Sequence, residues 1–444
     1  LYEVDHGPHV ARHGGVQAQQ HIYPNDIHTM QYTIQAPSLI YTTINLPASK
    51  SICNRALIIQ ALAGSTMLPA NLSDCDDTRV MAAALRALPE VIDIGAAGTA
   101  MRFLAAYLSV GTGTHTLTGT ERMRQRPIGV LVDALRQLGA HIEYLGAEGF
   151  PPLRITGRPL AGGALEVAGN VSSQYISALL MIGPMLRQGL TLKLTGDIVS
   201  RPYIDLTLWT MTEFGAQVEW SDVDTISVAP VPYTPTTYAV ENDWSAASYW
   251  YEVVALLNRP EARVVLPGLN DGSRQGDSVT RYIGSLMGVK TTFDTLADGS
   301  QQVVLASHGC TLPRLDYDFV NSPDLAQTFV VACAAKGIPF HFTGLASLKI
   351  KETDRIEALK RELRKLGVLL TDRHDSELIW DGERCAPTME PIDTYQDHRM
   401  AMAFAPAALT LGPVTINHPE VVSKSYPHYW DDLRRAGFKI TQTP

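Results

Sequence analysis

The chain has 444 residues, more than one hydrophobic core usually serves, so two domains are expected. Its 45% hydrophobic and 18% charged residues are those of an ordinary globular protein, and neither an apolar run of about eighteen residues nor a charged-then-apolar leader points to a membrane or to secretion. A net charge of −9 argues against a nucleic-acid binder with a general basic surface, but not against a small anionic ligand gripped by a few local cations.

Residues 1–29 carry His6, His9, His13, His21 and His28 with little apolar periodicity. A His-rich metal site is one reading, and an extension or leader ahead of a natural start at Met30 is the expected one. Cys53, Cys75, Cys310, Cys333 and Cys385 are widely spaced without a Cys-x-x-Cys pair, which points to a reducing cytoplasm and no structural zinc.

Six times the sequence presents a small polar or acidic residue followed by a long, mostly apolar run, the pattern of an N-capped buried helix. The runs are Ser51 to Leu62, Thr99 to Leu108, Ser173 to Leu186, Ser245 to Leu257, Ser322 to Ala335 and Asp397 to Leu409. After a first interval of 48 residues their starts recur at 74, 72, 77 and 75. Between them lie strand-like alternations such as Gly189-Leu190-Thr191-Leu192-Lys193-Leu194 and a second helix such as Ile204 to Phe214. Large α/β proteins show loose spacing of this kind by chance, but four near-equal intervals predict six α+β repeats, the first shortened, in two domains of three.

A helix dipole favours acids in the first turn and bases in the last. Here Arg55 follows Ser51, Arg102 follows Thr99, Arg355 follows Thr353, Arg399 follows Asp397, and Arg126 precedes Pro127, a favoured first helical residue. Each placement alone costs about 0.3 to 1 kcal/mol, and an exposed arginine can swing away. Repeated five times, it predicts anions held at helix N-termini by backbone N–H groups and guanidinium forks, the ligand carrying phosphate and carboxylate. The densest such stretch is Lys351-Glu352-Thr353-Asp354-Arg355, with Thr353 read as the N-cap of the amphipathic run that follows.

Gly95-Ala96-Ala97-Gly98-Thr99 lets the backbone approach a ligand closely, whereas the absence of a dinucleotide fingerprint or P-loop disfavours nucleotides. Asp324, Glu352 and Lys50 are the acid–base candidates. Asp324, in Ser322-Pro323-Asp324, fits a dipole-satisfying first-turn acid equally well.

Leu46-Pro47-Ala48-Ser49-Lys50-Ser51-Ile52-Cys53-Asn54-Arg55-Ala56-Leu57 closely resembles the N-terminal signature of the 5-enolpyruvylshikimate-3-phosphate synthase family. Further motifs resemble that family in its own order: Gly98-Thr99-Ala100-Met101-Arg102, Arg126-Pro127-Ile128-Gly129, Val171-Ser172-Ser173-Gln174, Ser200-Arg201-Pro202-Tyr203, Lys351 to Arg355, and Asp397-His398-Arg399-Met400-Ala401-Met402. The resemblance implies an α/β fold of α+β repeats, the two-domain inverse α/β barrel-like enolpyruvyl transferase fold, with six βαβαββ units. Crossings near Ser49 and Val240 would make residues 30–48 plus 241–444 the first domain and 49–240 the second, after the 1–29 extension.

The activity so implied is transfer of the enolpyruvyl group of phosphoenolpyruvate to the 5-hydroxyl of shikimate-3-phosphate, with release of phosphate, in aromatic amino-acid biosynthesis. Carried over by motif, shikimate-3-phosphate would be held by Ser51, Arg55, Ser172, Ser173, Ser200, Tyr203, Asp324, Ser347 and Lys351. Phosphoenolpyruvate would meet Lys50, Gly98, Arg126, Gln174, Arg355, Arg399 and Lys424. Asp324 would take the proton from the attacking hydroxyl, and Lys50 or Glu352 would handle methylene protonation and its reversal. The resemblance calls for no metal or organic cofactor, no nucleic acid and no membrane, and for a cytoplasmic monomer. Glyphosate is expected to compete, because Gly98 leaves room beside phosphoenolpyruvate.

The chain departs from the family's common pattern at Ala96 for Asn, Phe103 for Pro, Ser347 for Asn, and in its short first repeat. The alternatives are the related transferase acting on UDP-N-acetylglucosamine and a catalytically silent binding relative. The loop cysteine usual in the former is absent, since Glu121-Arg122-Met123-Arg124-Gln125 precede Arg126-Pro127.

Overall fold

Each of the six apolar runs is a buried helix in the computed structural model, which describes residues 30–443; the His-rich stretch 1–29 lies outside the described residues. These helices are Lys50–Leu62, Gly98–Val110, Ser173–Ile182, Trp244–Leu257, Ala326–Lys336 and His398–Phe404. Ala326–Lys336 buries every residue except Lys336, as a helix apolar on all sides must. Each is followed by a second, half-exposed helix: Asp76–Ala87, Gly129–Gln137, Arg201–Glu213, Thr280–Leu286, Arg355–Lys365 and Tyr429–Arg435.

The strands repeat one arrangement. Val91–Asp93 and Thr114–Thr118 pair in parallel, and Leu153–Thr156 then adds antiparallel beside the second strand, with His141–Tyr144 at the edge. This is a βαβαββ unit: a helix joins the two parallel strands and a hairpin closes the sheet. The sheets beginning at Gly163–Ala168 and Leu315–Asp318 have the same order.

Two further units borrow a strand from the N-terminal segment. Tyr41–Thr43 pairs in parallel with Arg263–Pro267 as the first strand of that sheet. Gln31–Gln35 lies antiparallel between Val414–Asn417 and Lys439–Thr443, where other units place their last strand. The first unit is the short one. Its helices Lys50–Leu62 and Asp76–Ala87 have no sheet of their own among the described residues, only single bridges from Ala48 to Asn242 and from Ala70 to Ala239.

Buried apolar side chains fall into two clusters. One runs from Ala48 to Val240, and the other combines Ile34 to Leu46 with Trp244 to Phe438. The chain crosses between them where Ala48 bridges Asn242 and the Ser49 N–H donates to the Glu241 carbonyl at 2.8 Å. Among the described residues no helix is long and apolar enough to cross a membrane.

Several helix starts differ from the sequence expectation, because a cap is chosen by tertiary geometry from among neighbouring candidates. Asp354, not Thr353, caps Arg355–Lys365, accepting from the Glu357 N–H at 3.2 Å. Asp243 rather than Ser245 caps Trp244–Leu257. Pro127 is not a first helical residue: Ile128 is held by the Gly149 carbonyl, and the helix begins at Gly129.

Phe329, 1% exposed, packs against Phe319 and anchors one of the two clusters. Phe329→Ala is expected to cost about 3–5 kcal/mol and to lower the urea midpoint followed by circular dichroism.

Candidate active site

Helix starts from both clusters converge on one cavity of about 740 Å³, counting its open mouth. From the Ala48–Val240 cluster come Lys50, Ser51 and Arg55, then Gly98 and Thr99, Arg126, Ser172 to Gln174, and Ser200 with Tyr203. The opposite wall supplies Pro323, Asp324, Lys351, Glu352, Arg355, His398 and Arg399. Asp77 also lines it, giving six cations against three carboxylates. A chain of net charge −9 thus carries a locally cationic cleft.

Arg355 sits at the start of its helix, where the dipole disfavours it, and is 1% exposed. Three carboxylates compensate: Nε donates to Asp397 Oδ2 at 2.7 Å, Nη2 to Glu352 Oε2 at 3.0 Å and Nη1 to Asp324 Oδ1 at 3.3 Å. Asp397 is fully buried and also caps its own helix through the Arg399 N–H at 2.9 Å. Asp324 in turn faces Arg399 Nη2 at 2.9 Å and Lys351 Nζ at 3.5 Å. Burial opposes ionisation of Asp324 more than any one neighbour favours it, but Arg399, Lys351, Arg355 and Lys50 together hold its carboxyl well below the usual range.

Glu352 has the same balance. Lys424 Nζ lies 2.5 Å from Oε1 and Arg126 Nη1 4.0 Å from it, and with Arg355 these cations outweigh burial and keep the carboxyl ionised. Lys50 Nζ is 3.2 Å from Asp77 Oδ2. Burial pulls its ammonium down, yet Asp77 and Cys75 leave it raised overall, so Lys50 is a cation in this state.

All the residues expected in the site line this cavity except two. Ser347 lies in an adjoining cavity that shares Ser172, Ser173, Ser200 and Lys351. Lys424 faces a side opening and reaches the site through Glu352.

The reading of every first-turn arginine as an anion ligand needs correction. Arg102 donates to the Gly98 and Pro127 carbonyls at 3.1 and 3.2 Å and does not line the cavity. Arg55 lines it, but spends Nε, Nη1 and Nη2 on Thr207, the Ser51 carbonyl, Ser177 and the Tyr203 carbonyl. Phe103, the unusual residue after Arg102, is 1% exposed with Arg55 over its ring at 5.5 Å. Arg126 is different, because its buried Nε has no hydrogen-bond partner. A Cβ on Gly98 would stand 2.7 Å from Arg126 Nη1, so the room beside Gly98 is occupied by that guanidinium.

Residues 34–93 and 88–433 match the family described as EPSP synthase (3-phosphoshikimate 1-carboxyvinyltransferase). The chain belongs to this family. It is 60% identical over 412 residues to the 3-phosphoshikimate 1-carboxyvinyltransferase of Bacteroides fragilis, covering 93% of this chain and 99% of that one. To the protein of the same name from Vibrio cholerae it is 40% identical over 428 residues, covering 90% and 97%. Among solved structures, EPSP synthase from Acinetobacter baumannii superposes with a TM-score of 0.74 at 24% identity, covering 94% of this chain and 100% of that one. The enolpyruvyl transferase NikO from Streptomyces tendae gives 0.68 at 16%, covering 94% and 99%. Both likenesses concern the fold.

Asp77, Thr99, Pro323 and His398 line the cavity but were not singled out as site residues. Asp77 reads as one of two first-turn acids of its helix, and nothing local marks it as the partner of Lys50. His398 sits within the Asp-His-Arg motif, which was the available signal. Its ring nitrogens have no hydrogen-bond partner, and burial with Lys50, Arg399 and Lys424 holds the imidazole neutral.

Asp397→Ala would strand Arg355 with one fewer counter-ion in a buried site. The expected loss is about 3–5 kcal/mol of unfolding free energy, read from urea denaturation.

Proposed function

We propose that the protein transfers the enolpyruvyl group of phosphoenolpyruvate to the 5-hydroxyl of shikimate-3-phosphate, releasing phosphate. The observation that carries this reading is a cavity with three carboxylates set among six cations, in a chain of this family. Such a lining suits two polyanionic substrates that must also exchange protons. Phosphate release from the purified protein on mixing both substrates, and none with either alone, is the test. No release would refute the reading.

In this assignment shikimate-3-phosphate meets Ser51, Arg55, Ser172, Ser173, Ser200, Tyr203, Asp324, Ser347 and Lys351. Phosphoenolpyruvate meets Lys50, Gly98, Arg126, Gln174, Arg355, Arg399 and Lys424. Support comes from their convergence on one cavity and its neighbours, and from the unpaired Arg126 Nε.

A carboxylate held as low as Asp324 is a weak base while its cations stay on it. Substrate phosphate and carboxylate groups draw Arg399, Arg355 and Lys351 toward themselves, and Asp324 regains basicity when the acceptor hydroxyl is beside it. It then takes the hydroxyl proton as oxygen attacks C2 of phosphoenolpyruvate. Lys50, kept protonated by Asp77, is suited to deliver a proton to the methylene carbon, and Glu352 to remove one as phosphate departs. The cations stabilise the leaving phosphate.

We further propose that residues 30–48 plus 241–444 and residues 49–240 act as two domains closing over the substrates. Two separate apolar clusters and the Ala48–Asn242 crossing support this division. A cytoplasmic monomer is the form we assign; the five unpaired cysteines support the reducing compartment.

Asp324→Ala is expected to retain substrate binding, because the cations remain, and to lose about 10²- to 10⁴-fold in kcat. Steady-state phosphate release together with calorimetric binding checks both halves of that statement. Glyphosate should compete with phosphoenolpyruvate. Gly98→Ala, by displacing Arg126, should raise KM for phosphoenolpyruvate and weaken glyphosate inhibition, each by about tenfold or more in inhibition kinetics.

A further inference from the structure

Outside the cavity lining, a buried carboxyl joins the two halves directly. Asp277 is 2% exposed in the short turn Gly276–Val279. Its Oδ1 accepts a 2.7 Å hydrogen bond from the hydroxyl of Tyr203, a cavity residue of the opposite half. Its Oδ2 accepts from the Ser245 hydroxyl in the first turn of Trp244–Leu257.

The turn that carries Asp277 is fixed from two directions. Gln275 Nε2 donates to the Asn242 carbonyl at 2.8 Å and Glu241 Oε2 at 2.9 Å, while its Oε1 accepts from the Trp244 N–H at 3.1 Å. This fastens the turn to the segment where the chain crosses between halves. On the other side Gly276 lies so close to Pro202 that a Cβ would fall 2.5 Å from the proline Cβ. Tyr203 is anchored in its own half by its carbonyl, which accepts from Arg55 Nη2 at 3.1 Å.

Charge balance agrees with the geometry. Burial pushes the Asp277 carboxyl up to about 6 and Asp324 adds to the rise, while Ser245, Arg399 and Tyr203 oppose it. Two hydroxyls donate to its oxygens, an arrangement that suits the ionised form.

We propose that Asp277 is a positioning residue for the transfer reaction, its carboxylate tying the Tyr203 hydroxyl of one half to a helix start of the other and so fixing Tyr203 against the acceptor. This rests on the reading in which Tyr203 binds the phosphorylated acceptor. Without the carboxylate the Tyr203 hydroxyl loses its partner and its cross-cleft anchor.

The test is steady-state kinetics of wild type, Asp277→Ala, Asp277→Asn, Ser245→Ala, Tyr203→Phe and the double variant Asp277→Ala/Tyr203→Phe. Wild-type turnover tests the functional reading by itself, and an inactive wild type refutes that reading whatever the variants do. With an active wild type, Asp277→Ala is expected to raise KM for shikimate-3-phosphate about tenfold or more while moving KM for phosphoenolpyruvate less than about threefold. Asp277→Asn, which keeps an acceptor for Tyr203, should recover part of the loss. The double variant should be little worse than the more affected single variant, since both changes remove one contact. If thermal melting shows Asp277→Ala to be unfolded, Asp277→Asn and Ser245→Ala carry the comparison, with smaller shifts confined to the acceptor KM. An acceptor KM within about twofold of wild type, equal shifts of both KM values, or fully additive losses would overturn the proposal.

Discussion

Buried cations must be matched by buried carboxylates, and in this protein the match is made at Arg355, whose guanidinium touches Asp397, Glu352 and Asp324. Taking a charge out of water costs several kcal/mol per ion unless partners and hydrogen bonds replace the lost solvation. Asp397 meets two needs, capping one helix and neutralising the first residue of another. Asp324 and Glu352 extend the network to Arg399, Lys351, Lys424 and Arg126. The walls of the cleft come from both apolar clusters, so this electrostatic network also spans the two halves.

In the proposed reaction that balance has a chemical use. Carboxylates that hold cations are poor bases, and they become better ones when anionic ligands take the cations over. In the proposed mechanism, substrate binding and base activation are thereby one event.

The six apolar helices were legible because a helix enclosed on all sides must be apolar on all sides, and alternation marked strands such as Leu190–Thr195, which is buried at every second residue. Strand exchange was not legible from local pattern. Gln31–Gln35 completes a sheet with Val414–Asn417 and Lys439–Thr443 at the far end of the chain, which only topology fixes. Arg102 and Arg355 occupy similar places near helix starts, yet one turns to backbone carbonyls and the other to carboxylates. Sequence position sets where a side chain begins, and packing sets where it points. Asp77, in a helix's first turn, and Asp277, in a short turn, lay hidden for the same reason, as ordinary carboxyls whose partners come from elsewhere.

The decisive measurement is a crystal structure of the complex with shikimate-3-phosphate and glyphosate, read for the contact between Arg399 and Asp324, which is 2.9 Å in this structure. We predict that Arg399 and Arg355 turn to the ligand anions and that Asp324 faces the acceptor's 5-hydroxyl. A complex in which both arginines remain on Asp324 and the hydroxyl lies elsewhere would contradict the account.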